Sequence, residues 1–242
     1  MLRTIWFLMN LVVFTFLFGS LAIISGVLRV PNRRGGVYDF CATQWAKRMI
    51  KVSGTELRVS GFDHVPKDQP MVFVSNHQSW FDIFALLSVL PSYTRFVAKK
   101  ELRRVPFLGG ALHAAGHIYI NRQNRQAAFS AYEEASEYIK EGRSAVIFAE
   151  GTRSRTGQLL PFKKGPFVLA LAAQVPVVPV YLAGTFTLLP KGSLKLTPHP
   201  IAVMFGEPIP TEGMTYEDRE RLRDVTREVV EKLRVDSERV LA

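Results

Sequence analysis

Twenty-five consecutive residues, 4–28, carry no charge and are dense in Phe, Leu, Ile and Val. As an α-helix rising about 1.5 Å per residue, the run is roughly 37 Å long, enough to cross a hydrocarbon core of about 30 Å with some tilt. A cleaved signal sequence has a shorter apolar core, about 7–15 residues, ending at a small-residue cleavage site. No A-x-A pattern follows Leu28; Arg29, Pro31, Arg33 and Arg34 come instead. The run therefore reads as a retained membrane helix, and the positive-inside bias places those three arginines in the cytoplasm. Residues 37–52 interleave Trp45, Met49 and Ile50 with Lys47, Arg48 and Lys51. That pattern fits a basic amphipathic helix at an anionic lipid surface or an ordinary surface helix. Residues 1–53 are thus grouped as membrane-anchoring helices and 54–242 as one folded domain.

The remaining chain is long enough, and at 48% hydrophobic residues apolar enough, for a single well-packed domain. Cys41 is the only cysteine, so an internal disulfide and a cysteine-based zinc site are excluded and a reducing compartment fits. The net charge is +10. Residues 215–242 hold 7 basic and 8 acidic side chains, so the surplus belongs to residues 1–214, with 24 basic against 13 acidic. Such a surface attracts an anionic partner. The membrane segment argues against nucleic acid, and no G-x-x-x-x-G-K-[ST] loop is present.

From residue 56 onward short apolar runs alternate with helical stretches, the pattern of an α/β domain. Strands are expected at 56–60, 71–75, 94–98, 117–120, 144–149, 177–182 and 201–205. Helices are expected at 82–90, 125–141, 166–173 and 216–235; the second stops at Gly142. The expected architecture is a single α/β domain with a mixed central sheet flanked by helices, behind the apolar helix and a second amphipathic one.

Chemistry concentrates where strands run into polar turns. Val74-Ser75-Asn76-His77-Gln78-Ser79-Trp80-Phe81-Asp82 offers an imidazole and a carboxylate. A carboxylate on one ring nitrogen fixes the tautomer and supports the imidazolium, which makes a base. Five residues apart, the two side chains share no face of a continuous helix. They meet only if the turn is non-helical and Asp82 opens the next helix; the alternative is a simple N-cap beside a loop histidine. Gly116 to Arg122 delivers an arginine at a strand end, and Glu150-Gly151-Thr152-Arg153-Ser154 presents hydroxyls and a second arginine after a buried strand. Two such arginines can clamp a phosphate, with Gly151 admitting close backbone approach. Lys99, Lys100, Arg103, Arg104, Arg155, Lys163 and Lys164 add to the field. His113 and His117 lie four apart, but no third ligand follows at metal-site spacing.

These blocks resemble the membrane-bound glycerolipid acyltransferases typified by 1-acylglycerol-3-phosphate acyltransferase, over roughly residues 56–210. The N-H-x-x-x-x-D block is Asn76, His77 and Asp82; the glycine-led strand ending in Arg is Gly116 to Arg122. The E-G-T-R block is Glu150 to Arg153, and the proline-bearing apolar block is Val175-Pro176-Val177-Val178-Pro179-Val180. Ala149 stands where the family often has Pro, and Tyr119 where Phe is common.

The resemblance implies acyl transfer from a thioester, acyl-CoA or acyl carrier protein, to the sn-2 hydroxyl of lysophosphatidic acid. His77 would be the general base and Asp82 its orienter. Arg122 and Arg153 would hold the acceptor phosphate, with Glu150, Gly151, Thr152 and Lys100 completing the substrate site. No metal or cofactor is expected, and the expected location is a bacterial inner membrane with the catalytic domain on its cytoplasmic side. Two other readings stand beside this one: transfer to a different lysolipid, and a non-catalytic membrane-tethered module for anionic lipid.

Overall fold

The computed structural model describes the backbone of residues 1–121 and 125–242, and all their side chains except those of 125–128. Seven strands form one sheet: β1 (Leu57–Ser60), β2 (Val72–Ser75), β3 (Thr94–Lys99), β4 (Ile118–Ile120), β5 (Ser144–Phe148), β6 (Val177–Ala183) and β7 (Ile201–Phe205). Their spatial order is β1-β7-β6-β2-β5-β3-β4. Strands β2 to β6 run parallel; β7 is antiparallel to β6 and carries β1 parallel to itself, so the sheet is mixed.

The helices are α1 (Leu2–Val27), α2 (Val37–Ser53), α3 (Phe81–Val89), α4 (Leu108–Ala114), α5 (Arg125–Lys140), α6 (Gly165–Ala173), α7 (Thr185–Leu188) and α8 (Arg219–Leu241). Strands β2 and β5 to β7 are buried on both faces, which is why they read as continuous apolar runs rather than alternating ones. Along them, side chains alternate between two cores. Val72, Val74, Ile147 and Met204 face α5, α6 and α8. Phe73, Val146, Phe148 and Val203 face α1, α2 and α3. Helix α6 is apolar all round because it is sunk between the sheet and its helical neighbours.

Topology positions the site. The β2–α3–β3 crossover runs to one side of β2 and the β5–α6–β6 crossover to the other. Right-handed crossovers in opposite directions put their helices on opposite faces, which leaves a crevice at the carboxyl ends of β2 and β5. Those ends are in register, Ser75 opposite Phe148. His77 and Glu150 each come two residues later.

Helices α1 and α2 pack directly on this domain. Where α1 meets α4 the chain is small on both sides: Gly19 faces Ala111, and a Cβ at Gly26 would lie 2.9 Å from the Ala114 Cβ. Most of the rest of α1 is exposed, including Trp6, Met9, Val12 and Phe16. It is the one helix among the described residues long and apolar enough to cross a membrane. Helix α2 turns its apolar face on protein: Met49 and Ile50 are buried in the α3-side core, and the Trp45 ring meets Phe84 edge-on at 4.8 Å. Its Asp39 forms a buried ion pair with Arg95 of β3, Oδ1 to Nη1 at 2.7 Å.

Candidate active site

Asn76 ends β2 with its side chain turned into the sheet. Its Nδ2 donates to the Leu182 carbonyl (3.0 Å) and its Oδ1 accepts from the Leu182 N–H (2.8 Å), so the carboxamide continues the β2–β6 ladder one step past the strand. The chain then breaks away as His77-Gln78-Ser79-Trp80 before α3 begins at Phe81. Asp82, fully buried in the first turn of α3, reaches back across that break. Its Oδ2 lies 2.7 Å from His77 Nδ1 and accepts from the N–H groups of Gln78 (2.6 Å) and Ser79 (2.8 Å). One oxygen thus orients the imidazole and ties down the break ahead of α3; Asp82 is not the helix cap, since α3 begins at Phe81 and no side-chain bond caps it. An oxygen that already accepts two N–H bonds makes Nδ1 the third donor, which leaves Nε2 as the unprotonated nitrogen of the neutral ring. Below, the imidazole lies flat on Phe148, centroids 3.8 Å apart and planes 10° apart.

The 149–154 turn wraps the same ring. The His77 carbonyl accepts from the Ser154 N–H (2.8 Å), and Gly151 takes a φ of +71°, the left-handed conformation that glycine accommodates. Glu150 points inward, 2% exposed, and neither carboxyl oxygen meets a partner at hydrogen-bond geometry. Burial pushes this carboxyl up to about 8; the N–H groups of Leu160 and His77 oppose the rise and Asp82 adds to it. Arg153 is half-buried with its guanidinium 5.0 Å above the Trp80 ring, and partial burial lowers its pKa while Asp82 opposes that. Thr152 is exposed beside it.

Glu150 gives a pH signature. Its folded value, about 8, lies above its ordinary 4.5, so the unfolded chain releases the proton first as pH rises. Stability is complete below about 4.5 and is lost as pH climbs toward 8. Glu150→Gln, neutral throughout, is expected to melt progressively above wild type between pH 5 and 8. A gap that stays constant across that range in thermal melts would show that the carboxyl is already ionised in the folded state.

The remaining sequence candidates are placed less closely. Lys100 is exposed in the 3₁₀ turn Lys100–Arg104 that follows β3, two strands from β2 along the same sheet end. No side-chain bond joins it to the His77 turn among the described residues. Arg122 lies outside the described residues; β4, which leads toward it, ends at Ile120. Lys191 was not apparent from sequence. It stands in the loop after α7, its ammonium within 3.1 Å of both Thr152 Oγ1 and the Arg153 carbonyl. The only sequence signal was its place in a Pro190-Lys191-Gly192 turn.

The family model described as "Acyltransferase" matches residues 56–183, a span that runs from the start of β1 to the end of β6 and holds the His77 turn and the 149–154 turn. This chain belongs to the acyltransferase family. It is 40% identical over 170 residues to the 1-acyl-sn-glycerol-3-phosphate acyltransferase of Limnanthes douglasii, covering 70% of this chain and 60% of that protein. It is 38% identical over 175 residues to the human 1-acyl-sn-glycerol-3-phosphate acyltransferase alpha, covering 72% and 62%. The chain thus spans about three fifths of the length of these curated relatives. The crystal structure of the 1-acyl-sn-glycerophosphate (LPA) acyltransferase PlsC from Thermotoga maritima is similar over nearly the whole length. Its TM-score is 0.79 at 29% identity, covering 96% of this chain and 95% of that one. Two of the four family blocks, the His77 turn and the 149–154 turn, are the segments that meet at the β2 and β5 ends. Lys191 falls outside the matched span.

Proposed function

We propose that this acyltransferase moves a fatty acyl group from an acyl thioester, acyl-CoA or acyl carrier protein, to the sn-2 hydroxyl of lysophosphatidic acid. One observation carries the reading: a carboxylate-oriented imidazole, His77 on Asp82, shares its turn contacts with the segment that bears Arg153. His77 Nε2 takes the proton of the acceptor hydroxyl as its oxygen attacks the thioester carbonyl. The tetrahedral intermediate collapses with cleavage of the C–S bond, and the thiolate receives the proton from the imidazolium. Asp82 stabilises that cation and has no need to take the proton itself.

Transfer is direct in this scheme, with no acyl-enzyme. Cys41 is buried in α2 and burial pushes its thiol up to about 11, so it is not a ready nucleophile. The Ser79 hydroxyl donates to the Leu189 carbonyl at 2.6 Å and is engaged there. Arg153 favours an anionic head group, and Arg122 joins it in this reading. Helix α1 places the protein in the bilayer by its exposed apolar surface, with Arg29, Arg33 and Arg34 on the cytoplasmic side.

The deciding assay is thiol release from an acyl thioester by purified protein in detergent, with and without lysophosphatidic acid. Release that requires this acceptor is the expected result. Release with other lysolipids alone would move the acceptor assignment, and no release with any acceptor would leave a lipid-binding module.

A further inference from the structure

We infer that Lys191 is a phosphate-binding residue of the acceptor site, paired with Arg153 to select lysolipids that end in a phosphomonoester. The inference rests on the functional reading above and adds a residue from beyond the 56–183 family span. Three observations converge on it.

The first is placement. Lys191 Nζ donates to Thr152 Oγ1 and to the Arg153 carbonyl, both at 3.1 Å, so its ammonium sits against the backbone that delivers the Arg153 guanidinium. The loop that carries it is fastened to the His77 turn, because Ser79 Oγ donates to the Leu189 carbonyl at 2.6 Å. The ammonium thus rests on the backbone of the residue whose guanidinium lies over Trp80 of the His77 turn.

The second is charge. The ammonium's two acceptors are neutral oxygens, and Arg153 rests on an aromatic face. Neither makes a salt bridge among the described residues. An anion bound over this turn is attracted by both charges. A planar guanidinium with several donors and a compact ammonium with one N–H to spare match an anion with several terminal oxygens.

The third is stoichiometry of charge. A phosphomonoester carries about 1.5 to 2 negative charges at neutral pH and three terminal oxygens. A phosphodiester head group carries one charge and two free oxygens, so it leaves one of the two cations without a partner. The same phosphate chemistry occurs in a coenzyme A donor. Titrating donor and acceptor separately distinguishes the two.

The test uses the full chain in detergent, with thiol release measured for wild type, Lys191→Gln and Lys191→Arg. The glutamine removes the charge and keeps a shorter N–H donor, and the arginine keeps the charge with a different donor geometry. For Lys191→Gln the KM for lysophosphatidic acid is expected to rise about 10- to 100-fold, the range of one charge-assisted hydrogen bond. kcat should change less than about 3-fold, and Lys191→Arg should restore most of the loss. The preference for lysophosphatidic acid over the neutral monoacylglycerol should fall by the same factor. A merely structural latch lowers turnover alike for both acceptors and leaves that preference unchanged, which would overturn the assignment. A rise confined to the KM for acyl-CoA would assign the residue to the donor instead and overturn it equally. Wild-type protein that acylates no lysophosphatidic acid overturns the functional reading and this inference together. Normal wild-type transfer with an unaltered Lys191→Gln variant overturns the inference alone.

Discussion

His77→Ala is expected to lower acyl transfer by about 10²–10⁴-fold, the usual contribution of a positioned general base. The fold should tolerate the change. Asp82 keeps the Gln78 and Ser79 N–H groups on Oδ2, so its buried carboxylate is not orphaned, and what is given up is the Nδ1 bond to that oxygen and the stacking on Phe148. Asp82→Asn separates two roles. The amide oxygen can still accept all three donors, but the amide nitrogen then occupies the place of Oδ1, which is buried without a partner. The negative charge facing the imidazolium also disappears. A fall of roughly 10- to 100-fold is expected, the range of one charge-assisted hydrogen bond. Thiol release at saturating lysophosphatidic acid, paired with a thermal melt for each variant, reads both. His77→Ala retaining more than a tenth of wild-type turnover at unchanged melting temperature would remove His77 as the base.

The second large effect is on stability. Arg95 and Asp39 are each about 5% exposed at the side chain, and between them they join β3 to α2. Arg95 Nη1 donates to Asp39 Oδ1 and Nη2 to Asn32 Oδ1, both at 2.7 Å. Asp39 Oδ2 accepts from the N–H groups of Gly35 and Tyr93, each at 2.8 Å. Removing one partner of a buried pair leaves an uncompensated charge and costs about 3–5 kcal/mol. For Arg95→Met in a chain of this size that is a melting temperature lower by roughly 6–20 °C. Replacing both partners, Asp39→Asn with Arg95→Met, removes both charges and is expected to recover part of the loss. A single variant within about 2 °C of wild type would show that the pair contributes little.

This junction was invisible in the sequence, since 56 positions separate two residues that look like ordinary surface charges. The strands were legible for the opposite reason. A strand buried on both faces needs an unbroken apolar run, which made β2 and β5 to β7 plain, and all seven expected strands lie within a residue of the observed bounds at either end. Helix α4 was missed because Gly109 and Gly110 weaken any helical reading; the α1–α4 approach, Gly110 against Ile23 included, explains why small residues are wanted there. Spacing alone left His77 and Asp82 between a cap and a dyad, because the turn that brings them together depends on backbone donors no sequence pattern displays. Helix α2 had the alternation of an amphipathic helix, and only the packed structure identifies α1 and α3 as what it covers.

The Asn76 clamp on Leu182 has a consequence for how such an enzyme can diversify. The arm carrying the imidazole is an extension of the central sheet, hydrogen-bonded to it on both sides of the carboxamide, whereas Thr152, Arg153 and Lys191 ride on connecting loops. Chemistry is thereby anchored to the least deformable part of the molecule, and head-group choice is left to segments that can be lengthened or exchanged without disturbing it. Grafting the 149–160 and 184–196 loops between relatives should therefore transfer acceptor preference while the rate-determining geometry stays put.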